Sequence, residues 1–238
     1  MSVVTVSSQF GAGARQVGRL IADQLVLQYV DQAVLVDAAR QLGVTVKSVA
    51  KHDERTDSFR QRLGHFLQRA LERSAAGGNV DPLMGAGNLE LMLAQSYQDV
   101  VESGVPAFID DRTYLETVTA ILEDLAQRGD VLFIGRGGQM ILRDRADALH
   151  VQLVADEDTR VERVMQWESL DRDEARRRAR DFNRHRAAFH KKFWRADVWD
   201  PRLYDVVINT TSISYEDAAA IACAAAESKF RVAAGARA

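Results

Sequence analysis

Apolar side chains arrive along this chain in short dense runs, separated by longer stretches of helical period. Val3, Val4 and Val6, with Thr5 between them, form a nearly continuous β-branched run, the pattern of a strand buried on both faces. Runs at Gln28–Val30, Val131–Ile134, Leu149–Val154 and Asp205–Ile208 predict four more strands. Between them the period changes. Val17, Leu20, Ile21 and Leu25 share one face of a predicted helix over Arg15–Leu27. Similar spacing predicts helices over Thr113–Gln127, Glu157–Gln166, Asp173–Phe193 and Tyr215–Ala226. Buried strands alternating with helices imply a parallel sheet with helices on both faces.

Two regions break the alternation. From about residue 40 to 105 no clear strand is predicted; Phe59–Ser74 reads as an amphipathic helix, and Gly77 through Gly87 as a glycine-rich loop. The second region, Glu157–Trp199, is polar and dense in arginine. The tail after Phe230 is rich in small residues and is predicted to fray.

Composition narrows the class. The chain has 238 residues, 47% of them apolar, which suits one sizeable α/β domain. A net charge of −3 gives no general affinity for polyanions, so an anion site must arise from local clustering. The lone cysteine, Cys223, cannot form an internal disulfide, which fits a reducing compartment. No run reaches the length of a membrane span, and no signal peptide is read at the start; the expectation is a cytoplasmic protein with no membrane partner.

The turn Phe10-Gly11-Ala12-Gly13-Ala14-Arg15 links the first predicted strand to the first helix. Such a turn can hold phosphate: glycine lets backbone approach the anion, free amides point inward, and the helix N-terminus adds its dipole. Gly11, Ala12, Gly13, Ala14, Arg15 and Gln16 are therefore the candidate anion-binding residues. A strict Walker A turn would also supply a lysine and a hydroxyl, but Ala14 and Gln16 stand in those places. Arg15 is the nearest cation. With no hydroxyl, a Mg²⁺ ion would depend on substrate phosphates, water and a carboxylate elsewhere. The same turn also reads as a tight strand-to-helix connection with no ligand. A second apolar strand ends in Gly135-Arg136-Gly137-Gly138, and a doubly wound sheet would set this turn beside the first. Arg136 is then placed to pair with a phosphate.

Between Arg160 and Arg195 lie 12 of the 31 Lys and Arg residues. Phe182, Phe189 and Phe193 predict a packed helix face, with Asp181, Arg184 and Lys191 on another side. A helix packed on one side and basic on the other can close over a polyphosphate. Interspersed acids from Glu157 to Glu174 allow the plainer reading of a solvated, ion-paired surface. They also argue, with the net charge, against nucleic acid as the partner. His185 and His190 have no further ligands at metal-binding spacing, so no protein metal site is predicted.

In order along the chain, these motifs resemble the cytidylate-kinase-like family. Ser7 to Gly18 is similar to that family's opening S-R-[EQ]-F-G-[SA]-G-G-x-[EQ]-[IV]-[GA], and Tyr29-Val30-Asp31 to its Y-x-D. Phe133 to Gly138 resembles I-V-G-R-G, Asp181 to Phe189 resembles D-x-x-R-x-x-Y/F, and Asp200 to Thr210 resembles D-P-x-x-Y-D-x-x-[IL]-N-T. Ser8 replaces the arginine of the opening motif. Gly137 follows Arg136 where true cytidylate kinases have Asp.

The resemblance implies a P-loop NTPase-type three-layer α/β/α fold with a five-stranded parallel sheet. It implies a single domain with a core over 1–40 and 105–238, a helical acceptor-binding insertion at about 41–104, and an arginine-rich lid at about 157–199. The implied chemistry is Mg²⁺-assisted transfer of the γ-phosphoryl group of ATP to a nucleoside monophosphate such as CMP or dCMP. Gly11 to Arg15 would hold ATP phosphates, Asp31, Arg136 and Asp181 would face the acceptor, and Arg15, Arg184 and Arg186 would carry the catalytic charge. Two alternatives stay open: a nucleotide-binding regulatory protein with a degenerate P-loop, and a kinase for another small phosphate acceptor. A homo-oligomeric state is left open as well.

Overall fold

In the computed structural model, residues 2–30 and 111–235 are described. The predicted strands form one parallel five-stranded sheet in the order β2-β3-β1-β4-β5. They are β1 (Val3–Ser8), β2 (Gln28–Val30), β3 (Val131–Ile134), β4 (Ala148–Val154) and β5 (Val206–Asn209). β1 lies at the centre and is buried along its whole length, as its unbroken apolar run requires. Val6 is in register with Ile134 of β3 and Val151 of β4, so the chain leaves β1 and β3 at neighbouring points on one sheet edge.

The helices are α1 (Ala14–Leu25), α2 (Asp111–Arg128), α3 (Gly138–Ile141), α4 (Glu157–Glu168), α5 (Arg172–Trp194) and α6 (Tyr215–Gly235). Alternation along β1 sorts them. Val4 and Val6 point into a core with Val17 and Ile21 of α1 and Ala218, Ala222 and Ala226 of α6. Val3 points the other way, into a core with Val118, Ile121, Leu122 and Leu125 of α2. The result is a three-layer α/β/α sandwich, the fold class read from the sequence. α4 and α5 form a hairpin with a small core of their own, where Val161, Val164 and Ala175 pack with Phe10 and Leu170.

Two expectations are corrected. The tail does not fray at Phe230: α6 continues to Gly235, Phe230 packs on the core and Ala233 is buried. Alanine is the best helix former, and that preference outweighs the small-residue pattern. β5 starts one residue late, at Val206, although the Asp205 amide just before it donates to the His150 carbonyl of β4 at 2.8 Å. The Asp205 carboxylate accepts from the His150 amide at 2.7 Å and from Lys229 Nζ at 2.6 Å, tying β4, β5 and α6 together. The predicted helix at Phe59–Ser74, the glycine-rich loop and the insertion at 41–104 lie outside the described residues.

Candidate functional site

The first glycine turn leaves the C-terminal end of β1, at the centre of the sheet. Gly11 and Gly13 have φ of 88° and 92°, while Ala12 between them is not in the left-handed region. Alternating hand along successive residues turns neighbouring amides to the same side, the geometry of an anion nest. Gly13 is also the N-cap of α1 and has no side chain to cap it. The helix therefore starts with its first amides unclaimed by a cap, and its positive dipole end faces the turn. Among the described residues, no acceptor is found for the amides of Gly11, Gly13 and Ala14.

The carbonyls of the turn tell the complementary story, because they are bound from behind. The Arg186 guanidinium donates to the Ser8 carbonyl. Ala12 N–H donates to the Gln9 carbonyl at 3.0 Å. Arg160 donates to the Phe10 carbonyl at 3.3 Å and to the Ala155 carbonyl at 2.9 Å. Arg163 reaches the Gly11 carbonyl at 3.4 Å, and the Thr210 hydroxyl donates to the Ala12 carbonyl at 2.9 Å. Burial lowers the Arg160 pKa, against the opposing pull of Glu157 and Asp156, but an arginine stays charged. With these carbonyls bound by cations and a hydroxyl, the amides of Gly11, Gly13 and Ala14 are the donors the turn leaves for a ligand.

Phe10 bolts the α4–α5 hairpin to this turn. Its ring lies 4.6 Å from that of Phe182, and its amide donates to Asn183 Oδ1 at 3.0 Å. Phe182 in turn carries the Arg186 guanidinium 5.0 Å above its ring. On the other flank, a Cβ on Gly13 would overlap the Tyr215 ring of α6, so glycine there serves packing as well as backbone conformation.

The second glycine turn lies beside the first: the Gly135 amide donates to the Val6 carbonyl at 2.8 Å. Gly135, Arg136 and Gly137 all have left-handed φ, at 72°, 56° and 69°. A non-glycine residue held there is strained by about 1 kcal/mol or more, a feature that clusters at functional sites. Trp194, at the end of α5, packs against Gly137 where a Cβ would stand.

Beneath both turns runs a buried polar network. Gln139 Nε2 donates to His190 Nε2 at 2.9 Å and to the Tyr204 hydroxyl at 3.2 Å. Tyr204 donates to the Val198 carbonyl at 2.8 Å and lies 3.5 Å from Ser7 Oγ. His190 Nδ1, 3.0 Å from the Arg186 carbonyl, carries the ring proton. Burial holds His190 at a pKa of about 4, and it raises that of Tyr204, so both are neutral near pH 7.

The structure thus brings Gly11 to Gln16, Arg136 and Arg186 to one edge of the sheet. Arg15 and Gln16 are half-buried in the first turn of α1. Asp181 and Arg184 form an exposed ion pair with each other at 3.0 Å on the outer side of α5. Asp31 lies outside the described residues. The residues that hold the turn in shape, namely Arg160, Arg163, Asn183, Thr210 and Tyr215, carried no assigned role in the sequence reading. The spacing of Arg160 and Arg163, three apart directly after a strand, was the signal that could have singled them out.

Comparison with known proteins identifies the family. The profile of the cytidylate kinase-like family matches residues 3–212. A cytidylate kinase from Methanopyrus kandleri is 30% identical over 110 residues, which cover 43% of this chain and 57% of that enzyme. The chain therefore matches little more than half the length of this curated relative. A solved structure of an uncharacterized protein from Eubacterium ventriosum superposes with a TM-score of 0.60 at 14% identity, over 96% of this chain and 99% of the other. That likeness extends to the fold.

Proposed function

This chain belongs to the cytidylate kinase-like family, and from that premise we propose that it transfers the γ-phosphoryl group of ATP to a nucleoside monophosphate such as CMP or dCMP. The observation that carries the reading is the nest at Gly11 to Ala14, where the amides of Gly11, Gly13 and Ala14 are left without an acceptor among the described residues while the carbonyls of Phe10, Gly11 and Ala12 are held from behind. This donor set fits an anionic polyphosphate, and phosphoryl transfer asks chiefly for positioning and charge stabilisation.

In this account the amides of Gly11 to Gln16 hold the ATP phosphates, and Arg15 adds charge at the helix start. Arg136, presented by a strained turn at the adjacent strand end, faces the acceptor phosphate. Arg186, held against the Ser8 carbonyl, brings positive charge from α5, and Asp31 recognises the acceptor; Arg184 and Asp181, paired with each other in this structure, would exchange that pair for the nucleotide on closing over it. A Mg²⁺ ion would accompany the nucleotide. Among the described residues no group of three or more His, Cys, Asp or Glu side chains is placed to hold a metal. Phosphate oxygens and water would then supply most of its octahedral shell, as is common for this ion.

A second reading, a nucleotide binder without turnover, is favoured by one observation. Ala14 and Gln16 replace the lysine and hydroxyl, and three arm arginines are engaged with carbonyls of the turn. Calorimetric titration with ATP and CMP, followed by assay of ADP release over a panel of nucleoside monophosphates, separates the two. Measurable ATP binding with no turnover on any acceptor selects the second. Unchanged nucleotide affinity in both Arg15→Ala and Arg136→Ala would reject the site itself.

A further inference from the structure

We infer that Arg163 is a positioning residue of the phosphate turn, bracing the backbone whose amides would bind the anion. The inference rests on the reading of that turn as the phosphate site. Its basis is one half-buried guanidinium that binds three parts of the site's frame. Arg163 Nη2 donates to the Thr210 carbonyl at 2.7 Å, and Nη1 to the Thr210 hydroxyl at 3.1 Å. Nη1 also reaches the Gly11 carbonyl at 3.4 Å. The guanidinium plane lies 4.9 Å from the centre of the Tyr215 ring.

Each of these partners touches the turn at a different point. The Thr210 hydroxyl accepts from Arg163 and donates to the Ala12 carbonyl at 2.9 Å, so Arg163, Thr210 and Ala12 form one chain of hydrogen bonds. Tyr215 presses on Gly13, the N-cap of α1. Arg163 thereby reaches Gly11 directly, Ala12 through Thr210 and Gly13 through Tyr215. Those are the residues whose alternating backbone hand makes the nest. A guanidinium suits this task, because its planar fork can serve several oxygens and stack on an aromatic face at once. All three hydrogen bonds given for Arg163 go to carbonyl and hydroxyl oxygens of the frame, so in this inference it acts on a bound phosphate through the amides it orients.

The tests are Arg163→Met, which keeps an apolar stem and removes every donor, and Arg163→Lys, which keeps the charge but not the fork. Amide hydrogen exchange over residues 10–16 is followed by mass spectrometry on the ligand-free protein, and binding of ATP and inorganic tripolyphosphate is followed by calorimetry. In Arg163→Met, exchange of the turn rises by roughly tenfold as the local opening becomes easier. Affinity for both ATP and tripolyphosphate falls by about tenfold or more, as expected for loss of charge-assisted bonds. Arg163→Lys restores neither. Thr210→Val shifts both readouts in the same direction, and the double variant falls short of the sum because the two act in one chain of hydrogen bonds.

Wild-type exchange and wild-type affinity in Arg163→Met would overturn the inference, as would full restoration by lysine, which would assign the effect to charge alone. If Arg163→Met does not fold, Thr210→Val decides, and unchanged exchange over 10–16 there counts against the brace. If the wild-type protein binds neither ATP nor tripolyphosphate, the phosphate reading fails, whereas the exchange readout still reports on the brace.

Discussion

Two buried histidines make stability depend on pH in a window where few other groups titrate. His150 sits on β4 with its Nδ1 2.8 Å from the Thr5 hydroxyl, and His190 sits on α5 bonded to Gln139. Both rings are buried, at 6% and 3% exposure. Desolvation lowers each pKa from 6.5 to about 4; for His150 the nearby Asp205 carboxylate opposes this and Lys229 adds to it. The folded values lie below the unfolded ones, so the unfolded chain takes up protons first as pH falls. Stability from this source is complete above about pH 6.5 and is lost progressively down to about pH 4. A shift of that size is worth about 3 kcal/mol per ring, or about 6 kcal/mol for the pair. Domains of ordinary stability have about 5–15 kcal/mol in total, so the loss is large enough to unfold a marginal one.

Urea unfolding at steps between about pH 7 and about pH 4.5 measures it; ordinary carboxylates begin to take up protons only toward the lower end of that range. The midpoint should fall steadily across the range. His190→Gln removes one titrating ring, so it should shrink the decline by about half even if it lowers stability at neutral pH. A midpoint that stays level from pH 6.5 to about 4.5, or a His190→Gln protein with the full decline, would refute the reasoning.

Other expectations follow from local geometry. Val26, a β-branched residue at φ 54° and 86% exposed, ends α1; Val26→Gly should raise stability by about 1 kcal/mol, seen as a higher Tm. Gly13→Ala should destabilise by about 1 kcal/mol or more from backbone strain and overlap with Tyr215, and should weaken ATP binding in calorimetry. Asp205→Ala, which leaves the His150 amide and Lys229 without their acceptor, should cost about 1–3 kcal/mol in urea unfolding.

The centre of the sheet was legible because β1, β3 and β4 are buried on both faces and so read as apolar runs, Val3 to Val6 most plainly. The glycine turn was legible by composition, and the second turn by its place after the strand Val131–Ile134. What held the turns was harder to read. Arg160 and Arg163 look like two more charges in an arginine-dense arm until the fold brings Phe10 against the first and Thr210, after β5, against the second. Such contacts join residues some 50 to 150 positions apart, as Arg163 does with Thr210 and Arg160 with Phe10. No local period encodes them. The reading of glycine was incomplete for the same reason: at Gly13 the space is taken by Tyr215, a partner the sequence places far away.

The central claim is that ATP bound at Gly11 to Gln16 gives up its γ-phosphoryl group to a nucleoside monophosphate. Incubation with γ-labelled ATP, Mg²⁺ and separate pools of CMP, dCMP, UMP, AMP and GMP, with separation of the products, tests it directly. The account predicts label in the diphosphate of at least one pyrimidine nucleotide, lost in Arg15→Ala. ATP binding with no labelled diphosphate from any pool would contradict it.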